Sequence, residues 1–107
     1  MFLVTGETLE FFQGLGFDEI EIEDGLTAYF IETGADESYA LVTDDNGESP
    51  ANLRKPLIFA CYSPEGAFLW SASFKNAFLF KETWQQSEAI SDKLAAIQNY
   101  RQNNETF

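Results

Sequence analysis

The chain of 107 residues contains no histidine, a single cysteine, and no lysine or arginine before Arg54. The absence of histidine excludes Ser-His-Asp and Cys-His nucleophile arrangements and removes the commonest metal ligand and general base. With Cys61 alone, no intramolecular disulfide can form, which fits a reducing compartment. The longest apolar run, 57–62, is far shorter than the roughly 20 residues that span a membrane.

The N-terminal segment is unlike a secretory signal. Met1-Phe2-Leu3-Val4 is apolar but carries no base, and Thr5-Gly6-Glu7 interrupts it. Hydrophobic residues make up 45% of the chain, and eleven residues are phenylalanine, so the chain can bury a core and fold. We expect one soluble, cytoplasmic domain over residues 1–107 without membrane contact.

The negative charge lies almost entirely in the first half of the chain. Residues 1–53 carry thirteen carboxylates and no base, whereas residues 54–107 carry five acids and six bases. The two halves therefore have net charges of −13 and +1 within the total of −12. Direct binding to nucleic acid or to an anionic membrane needs basic patches, so this charge argues against both and favours a basic protein partner.

Periodicity predicts a short helix followed by an antiparallel meander. Residues 7–13 form an amphipathic helix that Thr5 or Thr8 caps and Gly14 ends. Isoleucines alternate with glutamates from Asp18, and Asp24-Gly25 is a hairpin signal. A two-residue hairpin loop there places Ile22 opposite Thr27, Ile20 opposite Tyr29 and Glu19 opposite Phe30.

Further strands follow at 26–33, 38–43, 57–62 and 67–73, with a sixth short strand predicted at 77–80. A long helix closes the chain. Thr83 and Gln86 have the spacing of a capping box, and Ile90, Leu94 and Ile97 share one face. The predicted class is α+β: a short N-terminal helix, an antiparallel meander of five or six strands, and a long C-terminal helix packed on one sheet face.

At the level of fold, this order resembles the small acidic chaperones of bacterial type III secretion and their structural relatives. Those proteins usually carry a further helix between strands three and four, where this chain has the polar loop 44–54. The resemblance implies a protein-interaction module that binds as a homodimer. The resemblance assigns no function to any individual residue.

The glutamates of the first predicted strand form the sharpest candidate site. On a strand, Glu19, Glu21 and Glu23 share one face at ~6.8 Å intervals, the same order as the ~3.4 Å axial rise between phosphates in DNA. With the acidic residues of the following turns, this surface is predicted to resemble the row of phosphates along a nucleic-acid strand. A charged face that only prevents aggregation explains the same residues with about equal weight. The candidate partner-binding residues are Glu19, Glu21, Glu23, Asp24, Asp36, Glu37, Asp44 and Asp45.

Other chemistry has weaker support in the sequence. Oxygen-bearing side chains around Gly47 resemble a calcium loop, but the EF-hand spacing is absent and a solvated turn explains them. We expect no metal, no cofactor and no catalytic residue. Cys61 lies in an apolar strand and reads as a buried thiol. We also predict that no enclosed pocket gathers two or more carboxylates, for example Glu32 with Asp44.

Two functional hypotheses remain open. The first is a small non-enzymatic protein that inhibits or regulates a partner with a basic surface, including a nucleic-acid-binding one, through its carboxylates. The second is a chaperone-like or adaptor-like module that binds through exposed aromatic surface as a homodimer. It predicts an apolar patch of several hundred Å² made from Trp70, Phe78, Phe80 or Trp84. The chain is accordingly expected to be a monomer or a homodimer.

Overall fold

The computed structural model describes residues 4–23, 25–34, 37–44, 47–50 and 52–103. Within these residues, one antiparallel sheet with the strand order β1-β2-β3-β4-β5 carries three helices, so the predicted α+β class is confirmed. The elements, in chain order, are α1 (Val4–Gly14), β1 (Asp18–Glu23), β2 (Leu26–Glu32), β3 (Tyr39–Thr43), β4 (Leu57–Tyr62), β5 (Phe68–Phe74), α2 (Ala77–Trp84) and α3 (Ile90–Asn103).

The helices pack on one face of the sheet around an aromatic core. Phe12 of α1 stacks on Tyr29 at 4.5 Å between ring centroids, and Tyr100 of α3 stacks on Phe74 at 4.4 Å. Phe80 of α2 lies between these helices, 5.7 Å from the ring of Phe59. The predicted stripe of the last helix is confirmed, because Ile97 is fully buried and its neighbours on the stripe pack on the same core.

The predicted sixth strand is wrong, because residues 77–80 begin helix α2. The carboxamide oxygen of Asn76 accepts a hydrogen bond from the backbone N–H of Leu79 at 2.9 Å, which caps this helix. The predicted capping box at Thr83 is wrong for the same reason. Thr83 lies inside α2, and its hydroxyl donates to the carbonyl of Leu79.

The first helix also begins earlier than predicted. Helix α1 starts at Val4, so Thr8 lies within it and is buried instead of capping it. The left-handed residue that follows this helix is Gly16, with φ of +100°, instead of Gly14. Its conformation lets the N–H of Phe17 donate to the carbonyl of Phe12 at 3.0 Å, which ends the helix and directs the chain into β1.

The register of the β1–β2 hairpin differs from the prediction by one residue. Glu23 pairs with Leu26 as a two-residue loop requires, but the pairing shifts between Glu21 and Glu23. Beyond this bulge Glu19 lies opposite Tyr29 and Ile20 opposite Ala28. Since a shift of one residue exchanges the two faces of a strand, Ile20 turns away from the helices.

A lysine connects the last two helices, and this contact can be tested. Nζ of Lys93 donates to the carbonyl oxygens of Trp84 and Ser87, each at 2.8 Å, and lies 5.0 Å from the centroid of the Trp84 ring. Because Lys93→Met leaves two partly buried carbonyls without this charged donor, we expect it to lower the free energy of unfolding by about 2 kcal/mol. Urea denaturation measures this value.

The matched control is Lys81→Met on α2. Lys81 is exposed and its ammonium lies 5.6 Å from the ring of Phe11, a contact worth roughly 0.5–1 kcal/mol at an exposed site. Equal losses for the two variants would contradict the bridging role of Lys93.

Candidate partner-binding surface

The described carboxylates among the predicted binding residues divide between two places. Glu19 and Glu21 are exposed on strand β1, on the side of the sheet that carries the helices. Asp44 lies at the neighbouring end of β3, where its backbone N–H donates to the carbonyl of Glu48 at 2.7 Å. The structure therefore brings Glu19, Glu21 and Asp44 to one region of the molecule and adds Glu48, which was not predicted as a site residue.

Glu37 lies elsewhere, in the turn between β2 and β3 at the opposite end of the sheet. It is exposed and has a left-handed backbone with φ of +73°. Asp24, Asp36 and Asp45 lie outside the described residues, as does the side chain of Glu23. Glu32 and Asp44 do not converge, because Glu32 pairs with Tyr39 at one end of the sheet and Asp44 follows β3 at the other.

The face of the sheet turned away from the helices carries a row of aromatic rings. Tyr39 stacks on Phe30 at 5.5 Å and on Tyr62 at 5.3 Å, and Tyr62 meets Phe68 edge to face at 6.0 Å. Leu41 and Ile58 lie on the same face by strand alternation. We call this surface the open face and define it by Ile20, Phe30, Tyr39, Leu41, Ile58, Tyr62 and Phe68.

The open face is apolar, whereas the solvent face of an antiparallel sheet is ordinarily polar. None of the described helix side chains makes a ring contact with its aromatic residues, and Phe68 is 59% exposed. A sheet of five strands with a spacing of about 4.8 Å and a strand length of about 17 Å gives this whole side of the sheet a footprint on the order of 400 Å². The open-face residues other than Phe68 are half-buried within it. An apolar patch of a few hundred Å² is comparable to the largest patch on a typical monomeric protein, and such patches often serve binding.

Charges border the open face on one side and have one sign. Asp18 pairs with Phe30 and Glu32 pairs with Tyr39, which places both carboxylates at the ends of its aromatic rows. None of the five strands contains a lysine or arginine. The bases lie on α2 and α3, in the loop before β4, and directly after β5.

Sequence reasoning placed the apolar patch on other residues. Of the four aromatic side chains proposed for it, Phe80 and Trp84 are buried in the core and Trp70 is partly buried. Only Phe78 is largely exposed, on the helix side. The signal for the open face was the absence of alternation in strands 26–32 and 57–62, whose residues are apolar at nearly every position.

A second feature is a cleft of about 220 Å³ on the helix side of β1 and β2. Glu19 and Glu48 both line it, so two carboxylates meet in this cleft, which is partly open to solvent. The hydroxyl of Thr27 hydrogen-bonds with the hydroxyl of Ser49 at 2.9 Å and with Oε2 of Glu19 at 3.3 Å. The N–H of Ser49 donates to the carbonyl of Thr27 at 2.6 Å, which holds the loop 47–50 against β2.

Two buried groups have altered acidity. Burial raises the pKa of the Cys61 thiol to about 12, which keeps this free cysteine protonated and unreactive. Burial, and secondarily the charge of Glu19, raises the pKa of the Tyr29 phenol to about 12. No group of three or more candidate metal-ligating side chains occurs among the described residues, and Asp45 and Asn46 of the acidic loop lie outside them.

The chain matches no family model, no curated protein and no solved structure. In the part of the chain that the structure describes, no helix is both long and apolar enough to cross a membrane.

Proposed function

We propose that this chain is a small non-enzymatic binding protein that holds a partner protein against its open face. The partner surface is apolar at its centre and carries lysine or arginine beside it. The observation that supports this proposal most directly is the register of β1 against β2. It places Ile20 with the aromatic residues of the open face instead of in the core.

The charge distribution favours a basic partner over a second copy of the chain. Two copies joined through their open faces bring two chains of net charge −12 together, with Asp18 and Glu32 at the contact. Like charges across an interface oppose association, whereas a basic partner gains from the same charges. A footprint on the order of 400 Å² is about half of one side of a standard interface, so contacts at the acidic edge must supply the rest.

The proposal is narrower than imitation of nucleic acid. A phosphate-track mimic needs one continuous row of carboxylates, and the described candidates lie at two separated places, Glu19 with Glu21 and Asp44 at one and Glu37 at the other. If the partner uses this basic surface for its own function, binding by this chain inhibits or regulates the partner. We place the protein in the cytoplasm, which the unpaired Cys61 supports.

The test compares open-face and helix-face variants in binding. Wild-type protein immobilised at low salt is expected to retain a basic partner from host lysate and to release it at high salt, because charge steers the association. Once that partner is purified, Tyr39→Ser and Tyr62→Ser should each weaken its binding about 30-fold, as for central aromatic residues of an interface. The matched control is Phe78→Ser, an exposed aromatic residue on the helix side.

Two results would overturn the proposal. One is retention of the same partner with unchanged affinity by the Tyr39→Ser and Tyr62→Ser variants. The other is a dimeric mass in light scattering that becomes monomeric in these variants, because the open face would then be covered by a second copy of the chain.

A further inference from the structure

We propose that the cleft beside β1 binds a single primary alkylammonium group, the head group of a lysine side chain or of a small free amine. This site lies on the helix side of the sheet, and the inference does not depend on the binding function of the open face. Among the described residues that line it, the carboxylates come from two elements, Glu19 on β1 and Glu48 in the loop after β3, and none is a lysine or arginine.

Two carboxylates alone do not define a binding site. The buried phenol of Tyr29 is the second observation that indicates one. Tyr29 is only 2% exposed, and its ring stacks on Phe12 in the core. No described residue hydrogen-bonds to its hydroxyl. Every fully buried polar side-chain atom among the described residues does have a hydrogen-bond partner, so this hydroxyl is not fully buried. The hydroxyl must therefore open into the cleft that Tyr29 lines, where it is available to a ligand.

The arrangement of acceptors fits an ammonium better than a guanidinium. Glu19, Glu48 and Tyr29 line the cleft from three different elements, and an ammonium presents three N–H donors in diverging directions. A guanidinium presents a planar fork that pairs best with one carboxylate. Glu19 is already held by the Thr27 hydroxyl, and that hydroxyl by Ser49, so these acceptors are ordered before a ligand arrives.

The size of the cleft sets the size of the ligand. A volume of about 220 Å³ is below the roughly 300–1,000 Å³ of pockets for drug-sized molecules. It accommodates one alkyl chain with its charged head, and the ring of Pro50 provides an apolar contact for that chain. Calcium needs six to eight oxygen ligands at short distances, and the described lining of the cleft offers only two carboxylates.

The experiment titrates the folded protein with n-butylammonium chloride at low ionic strength and follows its backbone amide signals by NMR. We expect saturable shifts centred on Glu19, Tyr29 and Ser49. Glu19→Gln should weaken binding about tenfold, because it removes one charge-assisted hydrogen bond. Tyr29→Phe, which keeps the ring stacked on Phe12, should weaken it severalfold, and Glu48→Gln provides a second carboxylate variant should Glu19→Gln fail to fold.

The matched control is Glu21→Gln, which removes the same charge from the same side of β1, two residues from Glu19 and outside the cleft. It should leave the affinity within about twofold. Tetramethylammonium, which has no N–H donor, should not saturate the site. Equal binding of tetramethylammonium, equal weakening by Glu21→Gln, or saturable binding of calcium chloride without binding of the amine would each overturn the proposal.

A second arm distinguishes the two sources of the ammonium group. Tighter binding of N-acetyl-lysine methylamide than of n-butylammonium supports a lysine side chain of a polypeptide, since the flanking amides then add contacts. Equal or weaker binding of the lysine derivative supports a small free amine.

Discussion

Phe80→Ala is expected to lower the free energy of unfolding by about 4 kcal/mol, the usual cost of removing a large buried aromatic side chain. Phe80 is fully buried at the centre of the core. Its ring lies within about 6 Å of five other rings, those of Phe12, Phe17, Phe59, Phe74 and Trp84. A domain of this size has a total stability of only about 5–15 kcal/mol, so this one change removes a large part of it.

The matched control for this variant is Phe78→Ala, two residues away on the same helix. Phe78 is 48% exposed and touches only the ring of Phe11 among the described rings, at 5.8 Å between centroids. We expect its loss to be about 1 kcal/mol or less, because little buried area disappears. Guanidinium denaturation measures both, and Phe80→Leu substitutes if Phe80→Ala does not fold. A smaller loss at position 80 than at position 78 would show that the core is assigned to the wrong residues.

The protein is expected to lose about 4 kcal/mol of stability between roughly pH 8 and pH 11 through two buried groups. The pKa values of Cys61 and Tyr29 rise from ordinary values of 9.0 and 10.0 to about 12 in the folded state. Both groups bind their proton more tightly when folded, so their contribution is full at neutral pH. It is lost as the pH rises above 9, where the unfolded chain releases its protons first.

Cys61 should account for about two-thirds of this loss, because the unfolded thiol releases its proton above pH 9.0 and the unfolded phenol only above pH 10.0. Cys61→Ala is expected to reduce the alkaline loss to roughly 1 kcal/mol, and Tyr29→Phe to reduce it to roughly 3 kcal/mol. Urea denaturation at a series of pH values measures each slope, and the variants' constant packing cost cancels when each is compared with itself at pH 8. A wild-type stability that stays level up to pH 11 would contradict the burial of both groups.

Errors in the sequence prediction occurred where local patterns were ambiguous. The apolar sequence of residues 77–80 is compatible with a buried strand or a buried helix. Asn76 decides between them, because its side chain caps the N-terminus of a helix. The register of β1 failed for a different reason, since the hairpin loop was predicted correctly but a bulge between Glu21 and Glu23 shifted everything beyond it.

The sequence by itself determined the fold class, the bounds of strands β2 to β5 within one residue at each end, and the apolar stripe of the last helix. It also determined that the acidic residues concentrate in the first half of the chain. These follow from periodicity and charge, which are local properties of the chain. Only the tertiary structure decided which sheet face the helices cover, and hence that Phe30, Tyr39 and Tyr62 form a half-buried aromatic row on the other face. The same holds for the cleft, because Glu19, Tyr29 and Ser49 are distant in sequence and meet only when the hairpin and the loop close upon each other.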